Sequence, residues 1–326
     1  MLTIAYLTFR LNPRFEWFAA SLKRELRTSG INRSSVQIVV IDGRYPRELE
    51  ADFSFEHHPP KPTVWQGPHR LTQRDYFAAA NTRNTAFAVA RGDHIAFVDD
   101  LSVLLPGWLE AHMHAAANGY VLAGTTCKHK NIEVDNEGLV ARYEEFAPGI
   151  DSRLAQLTQD GPVRCSGGWL YGGTFSVPLE HALRVNGQDE IHDTIGGEDY
   201  DFGERLERSG SEIFINRTCG TIEDEDGHSV GKCRDKSMLH TATLRIAGDG
   251  GSDGLLGLDK AVSGDDGPYS SNTLYFKLKR ENHRVWTVGN VFDLRELRSH
   301  VLSGAPFPIP TEPSVHWVDG QPLSEM

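Results

Sequence analysis

The chain has 326 residues, with 33 Lys plus Arg against 45 Asp plus Glu, for a formal net charge of −12. That balance argues against a broad phosphate-tracking surface for nucleic acid, while leaving room for a local basic patch. Apolar residues at 39% and charged residues at 24% leave enough hydrocarbon for a sizeable core, in one large α/β domain with an extension or in two modest domains.

The four cysteines, Cys127, Cys165, Cys219 and Cys233, form no Cys-x-x-Cys pair. Neither a zinc ribbon nor a redox motif is supported, and scattered thiols read as small buried hydrophobes in a reducing compartment. Met1 to Arg10 lacks a basic leader with an apolar run behind it and reads as a first core strand. No stretch approaches the ~20 apolar residues that span a bilayer. These readings place the chain in the cytoplasm, without a membrane span.

In chain order, Leu2 to Thr8 is an apolar strand, and Phe15, Phe18, Leu22 and Leu26 recur at helical steps up to a stop near Gly30. Val36 to Ile41 is a second buried strand ending at Asp42, followed by a Pro-rich loop from His57 to Pro62. Phe77, Ala80, Asn84 and Phe87 mark a helix closed by Gly92. His94 to Val98 is a third strand, running straight into Asp99 and Asp100. A helix over 108–117 and a strand over 120–125 follow. Further on, Phe202 and Leu206 lie on one face of a helix that begins near Glu198-Asp199 and ends at Gly210, ahead of a strand from Glu212 to Asn216. Such alternation predicts a mostly parallel, doubly wound sheet, whose ligands sit at the carboxyl ends of the strands. Asp42, Asp99 and Asp100 all fall there.

The organisation predicted is a catalytic α/β domain over 1–247, a Gly/Asp-rich linker over 248–268 and a C-terminal extension over 269–326. That extension is expected to pack on the main domain or on another copy of the chain in a homo-oligomer. Lys277, Lys279, Arg280, Arg284, Arg295 and Arg298 give it a basic bias, which suits an anionic acceptor or a solvated helix face equally well.

Three carboxylate groups stand out. Asp99-Asp100 ends an apolar strand and suits a turn or helix cap as well as a ligand. Gly196-Gly-Glu-Asp199 opens a helix, with glycines that let backbone approach a ligand and acids that suit the helix dipole. Glu223-Asp-Glu-Asp226 reads as a solvated loop, with His228 just beyond. Lys61 to Trp65, with Arg70 and Arg74, reads as a mobile loop over a ligand or as a surface loop with one aromatic anchor. His57, His58, His69, His112 and His114 have no partner at a convincing metal spacing, and His112 and His114 are expected at the surface.

Five segments keep a recognisable order: Asn81-Thr-Arg-Asn84, Phe97-Val-Asp-Asp-Leu-Ser-Val-Leu-Leu-Pro-Gly-Trp-Leu109, Tyr171-Gly-Gly-Thr-Phe175, Val185-Asn-Gly-Gln-Asp-Glu190 and Gly197-Glu-Asp-Tyr-Asp-Phe-Gly-Glu-Arg-Leu206. Over about residues 2 to 230 this resembles the family-2-type inverting glycosyltransferases, which have the GT-A fold. The resemblance implies transfer of a sugar from a nucleotide-diphosphate donor, a UDP-sugar being favoured, to an acceptor hydroxyl. It places Thr8 and Asp42 at the base and ribose of the donor, Arg10 among the donor-binding residues, and Arg83 near the diphosphate or bracing the acidic strand end. Asp99 and Asp100 fall at the ribose and the diphosphate, and Gly172 and Gly173 under the sugar. Asp199 takes the base role with Glu198 beside it, and Asp100 and His228 are candidate ligands of Mn²⁺ or Mg²⁺.

The residue types suit that chemistry. A carboxylate takes the acceptor proton, and a cation or Arg stabilises the leaving diphosphate. One departure matters: the third acid of the family's Asp-Asp-Asp-x-Val pattern, typically a metal ligand, is Leu101 here. Asp100 with His228, the donor phosphates alone, or metal-independent catalysis are the three routes left open. A nucleotidyltransferase is disfavoured because Thr8 to Pro13 contains no glycine. A decayed nucleotide-sugar-binding protein and a retaining transferase remain as alternatives.

Overall fold

The computed structural model describes residues 1–63, 78–193, 197–228, 243–245, 259–261, 285–287, 289–310, 317–318 and 321–322. Trp65, His69, Arg70, Arg74, Phe77, Gly196, Lys277, Lys279, Arg280 and Arg284, and nearly all of the 248–268 linker, lie outside these residues. So does the side chain of His228. The chain divides into two compact units, one of residues 1–59, 90–181 and 210–232, the other of 60–89, 182–209 and 233–326.

The first unit is built on a ten-stranded sheet. Its strands are β1 (Leu2–Thr8), β2 (Val36–Asp42), β3 (Glu56–His58), β4 (His94–Asp99), β5 (Ser102–Leu104), β6 (Val121–Val134), β7 (Val140–Glu145), β8 (Val163–Arg164), β9 (Thr174–Pro178) and β10 (Ile213–Asp224). The path runs β3-β2-β1-β4-β9-β6-β10-β5, with β7 on β6 and β8 on β10. β3, β2, β1 and β4 are mutually parallel, and β9 runs antiparallel between β4 and β6. β1 and β2 are buried at all seven positions, as strands covered on both faces must be.

Helix α1 (Phe15–Thr28) lays Phe15, Phe18, Ala19 and Leu22 on this core. Tyr6 meets the rings of Phe15 and Phe18 with centroids 5.2 and 4.7 Å away, and its hydroxyl donates to the Pro13 carbonyl at 2.6 Å. Helix α3 (Trp108–Asn118) buries Trp108 completely, and its indole N–H donates to Thr174 Oγ1 at 2.9 Å.

Four expectations for this unit are corrected. His57 and His58 belong to edge strand β3 rather than to a loop. The strand expected over 120–125 continues to Val134, because its charged half pairs with β7 in a hairpin instead of facing a core. His112 is fully buried: its ring meets Trp108 edge-to-face and its Nε2 lies 2.9 Å from Cys219 Sγ. The charge run after Thr221 is not a solvated loop at its start, since Glu223 and Asp224 close β10 and are 4% and 5% exposed. Parallel pairing with β6 carries β10 that far.

His94 bridges β4 and β9 through Nε2 and Ser176 Oγ, 2.9 Å apart. Burial, with smaller contributions from His181 and the terminal amine, lowers its pKa to about 3. The folded state therefore holds His94 neutral where the unfolded chain protonates it. This contribution is complete above about pH 6.5 and is lost as pH falls toward 3, amounting to at most about 5 kcal/mol. The expected result is a urea midpoint that falls less steeply between pH 6.5 and 4 in His94→Gln than in the wild type. Parallel curves would remove His94 from the acid response.

In the second unit, α2 (Ala79–Val89) is buried from Ala80 onward despite its polar run of Asn81, Thr82, Arg83, Asn84 and Thr85. Those side chains fold inward only because they find partners. Asp193 accepts the Ala80 and Asn81 N–H groups at 2.8 and 3.1 Å, and Asn84 Nδ2 donates to Gln188 O and Glu190 Oε1. Glu190 also pairs with Lys61 Nζ at 2.6 Å. After the short α4 (Leu179–Arg184), this unit also contains helix α5 (Glu198–Arg208) and helix α7 (Leu294–Leu302). α7 is capped by Asp293, which accepts from the Arg295 and Glu296 N–H groups. Arg298 donates to the Phe87 carbonyl at the end of α2, at 3.3 Å. Between α5 and α7 in sequence lies the four-residue α6 (Glu225–His228), a part of the first unit.

Candidate active site

Parallel pairing sets Thr8 opposite Asp42 and Leu7 opposite Asp99, so the ends of β1, β2 and β4 are level. β9 runs the other way and starts at the same edge, where the Asp99 N–H donates to the Gly173 carbonyl at 3.1 Å. The first unit thus gathers Thr8, Arg10, Asp42, Asp99, Asp100, Gly172 and Gly173 at one sheet edge.

The environments of these acids differ. Asp42 is wholly buried, takes Arg47 Nε and Nη2 at 2.5 and 3.0 Å, accepts the Arg44 N–H at 2.8 Å, and lies 3.2 Å from His57 Nε2. Asp100 receives Arg10 Nε on Oδ1 and the Thr8 hydroxyl on Oδ2, both at 2.8 Å. Burial pushes the Asp100 carboxyl above its ordinary value against the pull of Arg10 and Thr8. Glu223 adds to that rise, so it belongs to the same edge, although the sequence pattern assigns it to a solvated loop. A Cβ on Gly173 would stand 2.5 Å from Thr126 Oγ1 and 2.9 Å from Glu223 Oε1. Glycine there lets both oxygens come up against the backbone.

In the second unit, Gly197 takes φ 88° and launches α5 without a side-chain cap. Glu198, 9% exposed, pairs with Arg83 Nη1 at 3.1 Å, and Arg83 also reaches Gln188 Oε1 at 3.4 Å. Arg83 itself is 1% exposed. Asp199 is half-buried, and its Oδ1 accepts the Tyr200 N–H at 2.8 Å. The two acids therefore differ physically: Glu198 is in a buried ion pair, and Asp199 is half-buried in the first turn, at the positive end of a helix.

The fit to a divalent cation is poor among the described residues. Both Asp100 oxygens are engaged, the neighbouring position is a buried Leu101, and no three His, Cys, Asp or Glu side chains are grouped to hold a metal.

A mostly parallel α/β sheet carrying its acids at the carboxyl ends of its strands defines a ligand-binding protein of the doubly wound class. Residues 28–172, less than half of the chain, match the model of Glycosyl transferase family 2. Over that segment the chain is similar to that family.

Among solved structures, the chain is similar to TarS 1–349 of S. aureus, with TM-score 0.47, 10% identity, and coverage of 73% of this chain and 63% of that one. The same protein in complex with UDP gives 0.45, 10%, 73% and 63%. GalNAc-T7 with UDP, GalNAc and Mn²⁺ gives 0.46, 12%, 69% and 43%. The chain thus spans less than two thirds of the length of each. No curated protein matches it. Among the described residues, no helix is long and apolar enough to cross a membrane.

Proposed function

We propose that the protein transfers a sugar from a nucleoside-diphosphate donor, with a UDP-sugar as the first candidate, to an acceptor hydroxyl with inversion at the anomeric carbon. The observation that carries this reading is the level array of Thr8, Asp42, Asp99, Asp100 and Gly173, of which the family match spans the ends of β2 and β4. Donor binding falls to the first unit. Arg47 and Arg10 hold Asp42 and Asp100 in fixed positions, and the Gly172–Gly173 backbone offers close approach to the sugar.

The base role goes to Asp199, since Glu198 is tied to Arg83. In the transfer, the acceptor oxygen forms the new bond to the anomeric carbon and its proton passes to the Asp199 carboxylate. The bond from that carbon to the phosphate oxygen breaks, and its electron pair leaves with the nucleoside diphosphate. Acceptor and nucleotide sugar thus yield glycoside, nucleoside diphosphate and one proton.

Incubating the purified chain with UDP-, GDP-, CDP- and dTDP-sugars is expected to release nucleoside diphosphate from one base class. Absence of both release and binding across the whole panel would overturn the reading. Proton NMR of the product is expected to show inverted anomeric configuration; retention would remove Asp199 from the role of sole base.

A further inference from the structure

The backbone at Leu101 is held in the left-handed region, φ 65°. Its N–H donates to the Pro13 carbonyl at 2.9 Å, and its carbonyl accepts the Asp224 N–H at 3.1 Å. A left-handed conformation costs a residue with a Cβ roughly 1–2 kcal/mol, and Asn, Asp or Gly adopts it most readily. Full burial of a leucine side chain contributes about 1.5–3 kcal/mol, which offsets that penalty. Leu101 is 1% exposed, and its methyl carbons lie 2.9 and 3.0 Å from where a Cβ on Gly227 would stand. The fold therefore requires hydrocarbon at this position and closes α6 over it.

Next to it, Arg10 is immobilised from every side. Its Nε donates to Asp100, its Nη1 donates to the Gly227 carbonyl at 3.0 Å, and its backbone N–H donates to Thr8 Oγ1 at 3.2 Å. The carbonyls of Arg10 and Leu11 are in turn held by Arg47 Nη1 at 2.7 and 2.9 Å. A hard divalent ion binds carboxylate oxygen at about 2.0–2.2 Å. At Asp100 such an ion would have to share an oxygen with the guanidinium or with the Thr8 hydroxyl, and would stand against the positive charge of Arg10.

We propose that Arg10, instead of a divalent ion, is the cationic partner of Asp100, and that the protein binds its nucleotide without a metal. Arg10 neutralises a carboxylate that would otherwise repel the diphosphate, which is part of what a metal does at such a strand end. The inference rests on the donor reading above.

The test is calorimetric titration of the full chain with UDP, GDP, CDP and dTDP, in EDTA and again in excess MnCl₂. The expected result is one nucleotide bound with affinities within about twofold of each other in the two conditions. Binding about tenfold or more tighter with Mn²⁺ would overturn the inference and leave the donor reading standing. Failure to bind any nucleotide in either condition would overturn the donor reading, and this inference with it. Arg10→Ala frees Asp100. It is expected to lose about tenfold or more in nucleotide affinity in EDTA and to recover part of it on addition of Mn²⁺, whose electron paramagnetic resonance signal then diminishes. An Arg10→Ala chain with wild-type nucleotide affinity in EDTA would contradict the assignment.

Discussion

Asp199→Asn is expected to lower the rate of sugar transfer by about a thousandfold while leaving nucleotide affinity unchanged. The substitution keeps the shape of the side chain and its contact with the Tyr200 N–H, and removes only the ability to take a proton. A positioned general base contributes typically 10²–10⁴-fold, so the loss falls on the chemical step and the donor KM stays put. Glu198→Gln makes the contrast. That carboxylate neutralises buried Arg83, so the amide is expected to lower the melting temperature while costing far less in transfer. Single-turnover measurements with a saturating donor separate the two. An Asp199→Asn chain retaining more than about a tenth of wild-type turnover would move the base elsewhere.

The strand ends were legible because each apolar run stops at an acid. Val36 to Ile41 stops at Asp42 and His94 to Val98 stops at Asp99, and the pairing register then makes those ends level. Glu223 was not legible, since a run of four acids looks solvated until β10 is seen to pair with β6 and bury its first two members. The partners of the acids were equally hidden. Arg10 with Asp100 and Arg83 with Glu198 stand 90 and 115 positions apart, and no periodicity links residues at such separations. For the same reason the sequence points the fully buried His112 to the surface: its spacing to His114 says nothing about Trp108 or Cys219. What sequence conveys well is where a strand ends, and what it conveys poorly is which distant charge neutralises the acid found there.

Arg205→Met is expected to destabilise the fold by about 3–5 kcal/mol, because it strands a buried carboxylate. Arg205 is fully buried on α5; its Nε donates to Asp201 Oδ2 at 2.7 Å, and its Nη1 and Nη2 donate to the Val185 and Gly187 carbonyls at 2.7 and 2.8 Å. It therefore staples the helix that begins at Glu198 to the 185–187 turn within the second unit. In a chain of this size the loss corresponds to a fall of roughly 10 °C in melting temperature.

Removing the charge on both sides, in Asp201→Leu/Arg205→Met, should recover most of the stability, since a buried ion pair contributes little net energy beyond apolar residues of similar volume. The two carbonyls would still lack donors, leaving a residual penalty of about 1–3 kcal/mol. Transfer should respond differently from stability. The double variant regains its fold but not the hydrogen bonds that fix α5, so Asp199 is held less firmly, and its kcat should stay below wild type with donor affinity intact. Thermal unfolding paired with kcat on the same samples decides it. A double variant that recovers full kcat along with its melting temperature would show that Arg205 serves the fold alone.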